Sequence, residues 1–125
     1  RPCFYVQLAC SLRAGIPRNR LIVDPGIGFG KTLEHNLELL AQLSLLHGLG
    51  LPLLVGASRK SFIGKLTDAK SADQRLPGSP AAAVHAASQG AQLVRVHDAA
   101  ETRQALQLWQ GAMSGARAIA PASSE

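Results

Sequence analysis

The sequence predicts an α/β protein built on a parallel sheet, and three observations support this class. Short apolar runs recur along the chain, at 21–23, 51–57 and 93–98, and each is followed by a stretch of helical length. The middle run has almost no polar alternation, which is typical of a strand that is buried on both faces of a parallel sheet. Polar or charged residues stand at the end of each run. We therefore predict one helix followed by three parallel βα units.

The helices follow from periodicity and from their end signals. We expect a first helix over 4–14, ended by Gly15, and a second that begins after Lys31 and ends at His47-Gly48. Residues 67–77 are polar and read as a loop. An Ala-rich helix is expected over 80–89, with Ser79 as N-cap and Pro80 at its first position, and a last helix over 102–113. Residues 1–113 then form one domain, and 114–125 form a flexible tail.

The stretch from Asp24 to Lys31 is a Gly-rich loop between a strand and a helix. Its glycines could let a ligand approach the backbone closely, and Asp24 is expected to be buried at the strand end. The spacing before Gly30-Lys31-Thr32 is one residue short of a nucleotide phosphate loop. The dinucleotide fingerprint also fails, because Lys31 stands where its last glycine is required.

Composition narrows the classes of function. The chain has 125 residues, 46% of them hydrophobic, and a formal net charge of +5. Its 13 Lys and Arg are scattered and aromatic residues make up only 4%, so we expect small anionic ligands and no nucleic acid. No apolar run approaches the ~20 residues of a membrane span, so we expect no membrane association. Cys3 and Cys10 have no metal-site pattern and are predicted to be free buried thiols of a cytoplasmic protein.

The polar ends of the three strands are predicted to converge. Asp24, the run 58–61, and Arg95 with His97 each follow an apolar run. The carboxyl ends of parallel strands lie on one side of a sheet, which is where α/β folds build their sites. We therefore expect Asp24, Lys60 and Arg95 to lie together.

Four ordered motifs in this sequence resemble the dihydropteroate synthases of the pterin-binding family. They are the residues 24–31, the run 55–64, Arg75 with Gly78-Ser79, and 95–98, and the resemblance spans roughly residues 4–113. The family fold is a (β/α)8 barrel, which typically needs ~250 residues. The resemblance thus implies the C-terminal portion of such a barrel. It also implies a homodimer, and a magnesium ion whose ligand lies in the N-terminal half of the family's fold.

The resemblance implies a transferase of folate biosynthesis, the target of sulfonamides. The family joins 4-aminobenzoate to 6-hydroxymethyl-7,8-dihydropterin diphosphate, giving 7,8-dihydropteroate and diphosphate. The implied catalytic residues are Lys60, Arg95 and His97. The implied substrate-binding residues are those three with Asp24, Gly28, Phe29 and Ser61; Arg59 is a weaker candidate. No metal ligand is assigned to this chain, and we expect it to be inactive alone.

Ordinary structural roles compete with each assignment. Asp24 could simply organise the loop, Arg95 could pair with Asp98 or Glu101, and Ser61 could be an N-cap. His35, His47 and His85 are assigned to helix surfaces or packing. Three other functions stay open: a methyltetrahydrofolate-binding methyltransferase domain, a non-catalytic fragment, and a generic phosphate-binding α/β module. A pair such as Arg95 and His97, suited to a diphosphate, disfavours the first.

Overall fold

Five α-helices surround a small parallel sheet in residues 2–115, the part of the chain that the computed structural model describes; side chains are described from residue 7 onward. The helices are α1 (Pro2–Arg13), α2 (Leu33–Ala41), α3 (Ser61–Thr67), α4 (Gly78–Ser88) and α5 (Ala99–Ser114). The strands are β1 (Leu54–Val55) and β2 (Leu93–Val94). The predicted α/β class is confirmed.

The three predicted strands lie side by side and parallel, in the order of the chain. β1 pairs with β2 in the register Leu54↔Leu93, and a parallel bridge joins Val23 to Leu53 on the other side. The regular strands are shorter than predicted. The second and third runs each contribute only two residues to the hydrogen-bonded ladder, and the first run contributes a single bridge. Among the described residues, the first and third runs each pair with the middle run only. Ile22 in the first run is 53% exposed, and Leu93 in the third is 42% exposed.

The predicted end of the second helix needs correction. The second helix ends at Ala41 and a 3₁₀ helix, Leu43–Leu49, continues the chain to Gly50. Gly50 has a φ of 72°, a left-handed conformation that favours glycine, so it ends the helical segment in place of His47-Gly48. The first helix ends before Gly15, whose φ of 92° fits the predicted cap.

The start of the Ala-rich helix was also predicted wrongly. α4 begins at Gly78, and the Ser79 hydroxyl bonds to groups outside the helix instead of capping it. The expected loop over 67–77 contains a short 3₁₀ helix, Asp73–Arg75. α5 begins at Ala99, three residues before the predicted start at 102. α3 begins at Ser61 and its N-cap residue is Lys60, so the N-cap role left open for Ser61 is not found.

The core lies between the strands and the helices α2, α3 and α4. Leu43, Leu53, Val55 and Ala86 are almost fully buried there. Ile27, from the middle of the Gly-rich loop, is also completely buried in this core. The loop is therefore anchored by its own apolar residue, which fixes the backbone on either side of it.

Other sequence predictions meet mixed outcomes. Cys10 is free but exposed, so its predicted burial is wrong; the side chain of Cys3 lies outside the described residues. His47 and His85 bond to the carbonyls of Gln89 and Leu40, which fits the packing role expected of them. No helix within residues 2–115 is long and apolar enough to cross a membrane. Most of the predicted tail, 116–125, lies outside the described residues, and that prediction stands untested.

Candidate active site

The ends of the three parallel runs bring Asp24, Lys60 and Arg95 together. Arg95 Nη1 lies 3.5 Å from Asp24 Oδ2, joining the end of the third run to the end of the first. Arg95 and Asp24 both act electrostatically on Lys60, which follows the middle run. The predicted convergence is confirmed. The expected burial of Asp24 is wrong, because 37% of its side chain is exposed.

Asp24 also organises the Gly-rich loop. Its Oδ1 atom accepts a hydrogen bond from the Gly26 N–H at 2.8 Å, the usual local geometry for an aspartate that precedes a Pro-Gly turn. The other oxygen faces Arg95. The structural role that competed for this residue is therefore real, and it uses only one of the two carboxylate oxygens.

The backbone of the loop is bound at consecutive residues by side chains at its end and beyond it. Lys31 Nζ donates to Gly26 O at 2.9 Å and to Phe29 O at 3.2 Å, while Lys60 Nζ donates to Ile27 O at 2.5 Å. Asn36, which is 2% exposed, accepts the Gly28 N–H through Oδ1 at 2.7 Å. The loop is therefore held in one shape before any ligand binds.

Lys60 lies beneath the ring of Phe29. Its Nζ is 3.8 Å from the ring centroid, within the range of a cation–π contact, and Phe29 itself is 64% exposed. Partial burial lowers the pKa of the Lys60 ammonium, and the nearby positive charge of Arg95 lowers it further. Phe29 thus presents a flat surface to solvent beside a cation that is easier to deprotonate than an ordinary lysine.

Two glycines make room for these cations. A Cβ atom at Gly28 would lie 2.5 Å from Lys60 Cδ, and one at Gly56 would lie 2.5 Å from Arg95 Nη2. The Arg95 guanidinium therefore runs close along the backbone at Gly56, at the end of β1. The pairing of Arg95 with Asp98 or Glu101 that the sequence left open is not found: Arg95 pairs with Asp24, and Asp98 binds Arg59.

His97 is tied to the end of the middle run by Ser58. The buried Ser58 Oγ accepts the His97 backbone N–H at 3.2 Å and lies 3.0 Å from Nδ1 of the ring. Ser61, the first residue of α3, is exposed directly after Lys60. His97 and Ser61 are thus placed on the loops that carry Arg95 and Lys60, although the contacts described above do not join them to those cations.

Sequence reasoning missed Asn36 and Ser58 as residues that build the site. Asn36 falls on the apolar face of α2, at helical spacing from Leu33 and Leu40. A polar residue on a buried face requires a partner, so this position carried a signal that could have identified it. Ser58 was noted only as part of a polar run, and its bond to residue 97 depends on strand pairing that no local pattern specifies.

The described residues include no cluster of three or more His, Cys, Asp or Glu side chains that could hold a metal ion. They do not fit the magnesium ion that the resemblance implies. Magnesium stays a prediction about residues outside this part of the molecule, and no chemical step below depends on it.

Parallel strands with charged side chains at their carboxyl ends define an α/β protein with a site for a small molecule. Residues 1–97 match the family described as pterin binding enzyme. The chain belongs to this family, and the resemblance seen in its motifs is confirmed.

Three of the similar proteins are named dihydropteroate synthase. The chain is 50% identical over 111 residues to dihydropteroate synthase of Escherichia coli K12, matching 89% of this chain and 39% of that protein. A solved Yersinia pestis dihydropteroate synthase with a sulfonamide drug aligns at a TM-score of 0.86 and 49% identity, over 91% of this chain and 41% of that one. The Xanthomonas albilineans dihydropteroate synthase in complex with 7,8-dihydropteroate aligns at 0.85 and 45%, over 94% and 44%. The chain thus spans about two fifths of the length of these relatives.

Proposed function

We propose that this chain forms the C-terminal portion of a (β/α)8 barrel and one wall of a dihydropteroate synthase site. The observation that carries this is the cluster of Asp24, Lys60 and Arg95 around a preorganised loop. The proposal is also supported by the 50% sequence identity, over 111 residues, to a dihydropteroate synthase. The reaction joins 4-aminobenzoate to 6-hydroxymethyl-7,8-dihydropterin diphosphate.

Asp24 and Lys60 are suited to the edge of a pterin. The half-exposed Asp24 carboxylate can accept hydrogen bonds from the guanidine-like edge of the heterocycle. The loop takes only Oδ1, and the 3.5 Å ion pair of Oδ2 with Arg95 leaves that oxygen with further acceptor capacity. Lys60 can donate to the ring's polar acceptors. Arg95, 55% exposed, offers a planar cation that can lie against the face of the ring.

Arg95 and His97 are suited to the leaving diphosphate. In the reaction, the 4-aminobenzoate nitrogen bonds to the methylene carbon, the carbon–oxygen bond to the diphosphate breaks, and the nitrogen releases a proton. The diphosphate gains negative charge as that bond breaks, so cationic donors nearby favour departure. When the Ser58 hydroxyl donates to His97 Nδ1, the ring carries its hydrogen on Nε2, which can then donate to the diphosphate.

Phe29, Gly28 and Ser61 are suited to the second substrate. The exposed Phe29 ring can form one wall of a slot for the aminobenzoate ring. Its neighbour Gly28 has no side chain, which lets Lys60 lie close against the backbone beside the ring. Ser61 directly follows Lys60 and can donate its hydroxyl hydrogen to the aminobenzoate carboxylate. These assignments leave the slot open on the side away from the described residues.

The test measures dihydropteroate formation from both substrates with magnesium present. It uses the 125-residue chain and a chimaera in which this chain replaces the matching segment of the E. coli relative. Because substrate positioning and exclusion of water need the rest of the site, the chain alone should be ~10³-fold slower or worse. The chimaera should turn over, and Arg95→Ala should reduce its rate ~100-fold, while the exposed Arg103→Ala on α5 should not.

Two outcomes would contradict the proposal. A chimaera that folds and binds neither substrate would exclude the synthase assignment and favour a non-catalytic fragment, whereas one that binds the pterin but not 4-aminobenzoate would favour another pterin-binding function. Turnover by the 125-residue chain equal to that of the chimaera would exclude the half-site argument.

We further propose that the full protein is a cytoplasmic homodimer. α5 supports this with Leu108 and Met113, which are 76% and 72% exposed. α4 offers less apolar surface for such a contact, because Ala83 and Ala86 are buried within the chain itself.

A further inference from the structure

Arg59 has an unusual backbone in the loop that leads from β1 to α3. Its φ is 56°, in the left-handed region that residues with a side chain rarely adopt. It lies between Ser58, which holds His97, and Lys60, which binds the Gly-rich loop. Such a conformation persists only where the surroundings fix it, and it often accompanies a functional constraint.

The side chains of Ser79 and Arg75 bind the backbone N–H and C=O of Arg59. The Ser79 hydroxyl, 2% exposed, accepts the Arg59 N–H at 2.7 Å and donates to the Arg75 carbonyl at 3.0 Å. Arg75 Nη1 in turn donates to the Arg59 carbonyl at 3.1 Å. Arg75 is itself held, because its other nitrogens donate to the carbonyls of Ala69 and Lys70. The left-handed residue is therefore clamped at its N–H and at its C=O.

The Arg59 side chain joins this loop to the end of β2. Nε and Nη2 donate to the two Asp98 oxygens at 3.0 and 2.5 Å, a bidentate arrangement. The Asp98 side chain is 10% exposed, and the hydrogen bonds from Arg59 hold the pKa of its carboxyl below the usual range. Asp98 directly follows His97. A second carboxylate, Asp73, is 3.9 Å from Nη1 but is 94% exposed, so it adds little.

We propose that Arg59 is a positioning residue, whose clamped backbone directs Lys60 toward the Gly-rich loop and whose guanidinium locks the Lys60 loop to the Arg95–His97 segment. This role rests on the function proposed above for those three residues. It differs from ligand binding, since Nε and Nη2 of the guanidinium are both bonded to Asp98. A lysine at position 59 would keep the charge but lose the fork geometry.

The test uses Arg59→Lys and Asp98→Asn in the chimaera, alone and together. Each should reduce kcat/KM ~10-fold or more through kcat, and the double variant should lose no more than the worse single one, because the two side chains act as a unit. Asp73→Asn, the same change in the loose partner of Arg59, and Arg103→Lys, at an exposed arginine on α5, are the matched controls and should stay within ~2-fold. Thermal unfolding of each variant shows how much of it is folded.

A purely structural role would lower the thermal midpoint and leave kcat per folded molecule unchanged, and that result would overturn the proposal. So would Arg59→Lys and Asp98→Asn with kcat within ~2-fold of the parent chimaera.

A second readout does not depend on turnover. In the 125-residue chain, NMR of the Lys60 ε-carbon reports its titration midpoint and its proximity to the Phe29 ring. Arg59→Lys and Asp98→Asn should weaken the Lys60–Phe29 contact and move the midpoint, whereas Asp73→Asn should not. A parent chimaera without activity would count against the proposed function alone, and unchanged Lys60 signals in both variants would count against the positioning role.

Discussion

Lys60 is the residue at which the loop and the strand ends meet. Its ammonium group donates to the Ile27 carbonyl, lies under Phe29, and is repelled by Arg95. A ligand that supplies a better acceptor could therefore draw Lys60 away from Ile27 at small cost. The residue is placed to exchange one partner for another.

Lys60→Ala should weaken binding of the pterin substrate to the chimaera ~10- to 100-fold, because a hydrogen bond to a charged group contributes ~1.5–3 kcal/mol. Isothermal titration calorimetry measures this directly. Lys65→Ala, which removes an exposed lysine of α3, is the control and should bind like the parent. If Lys60→Ala and Lys65→Ala bind the pterin substrate with equal affinity, Lys60 does not contribute to the pterin site.

Lys60 should titrate below 10.5, its ordinary value, because burial disfavours its charged form and Arg95 repels it. Between its folded pKa and 10.5, the unfolded chain binds a proton that the folded chain has released. This group alone therefore makes stability rise with pH in that window. The measurement is the NMR titration of the ε-carbon, with urea unfolding of the parent and of Lys60→Met across the window. A midpoint at or above 10.5 would contradict the expectation.

At the scale of elements, the Gly-rich loop is shaped by its own side chains and by two side chains later in the sequence. Ile27 anchors it in the core, Asp24 and Asn36 bind its N–H groups, and Lys31 and Lys60 bind its carbonyls. The glycines permit this shape, but these polar contacts select it.

Asn36→Ala should lower the free energy of unfolding of the chain by ~1–3 kcal/mol, because the Gly28 N–H loses its buried acceptor. Asn19→Ala removes an exposed asparagine in the 3₁₀ helix Arg18–Arg20 and should change it by less than ~0.5 kcal/mol. Urea unfolding followed by circular dichroism gives both values. If Asn36→Ala and Asn19→Ala lower the free energy of unfolding by the same amount, the bond from Gly28 to Asn36 does not stabilise the loop.

The sequence predicted the order of the elements and the meeting of Asp24, Lys60 and Arg95, because apolar runs and parallel connections determine both. It did not predict the partner of Asp98. That choice depends on the left-handed backbone of Arg59, which is fixed by Ser79 and Arg75, residues distant in sequence. Strand lengths were also overestimated, since pairing depends on neighbours that a local pattern does not contain. The catalytic and substrate-binding roles remain predictions for all of the site residues: Asp24, Gly28, Phe29, Lys60, Ser61, Arg95 and His97.

At the scale of the whole molecule, the outer strands and α5 leave apolar residues exposed. Ile22 lies in the run beside Asp24, Leu93 lies in β2, and Leu108 lies on α5. Residues of this kind are the ones that further chain or a second subunit covers.

The chimaera should sediment as a dimer at micromolar concentration, and replacing both Leu108 and Met113 by Glu should shift it toward a monomer, because charges at an apolar contact are costly to bury. Leu45→Glu is the control, since Leu45 is 69% exposed in the 3₁₀ helix Leu43–Leu49. Analytical ultracentrifugation gives the masses. A parent chimaera that sediments as a monomer would exclude the proposed homodimer.

The close fit of two glycines against two cations also constrains which inherited variants the protein can accept. Gly28 and Gly56 carry no functional group, yet a methyl group at either would displace Lys60 or Arg95. In a saturation mutagenesis screen for growth without added folate, these glycines should therefore tolerate substitution as poorly as Lys60 and Arg95 do. A single-nucleotide change at the Gly56 codon would act on the site without altering any residue to which ligand binding is assigned.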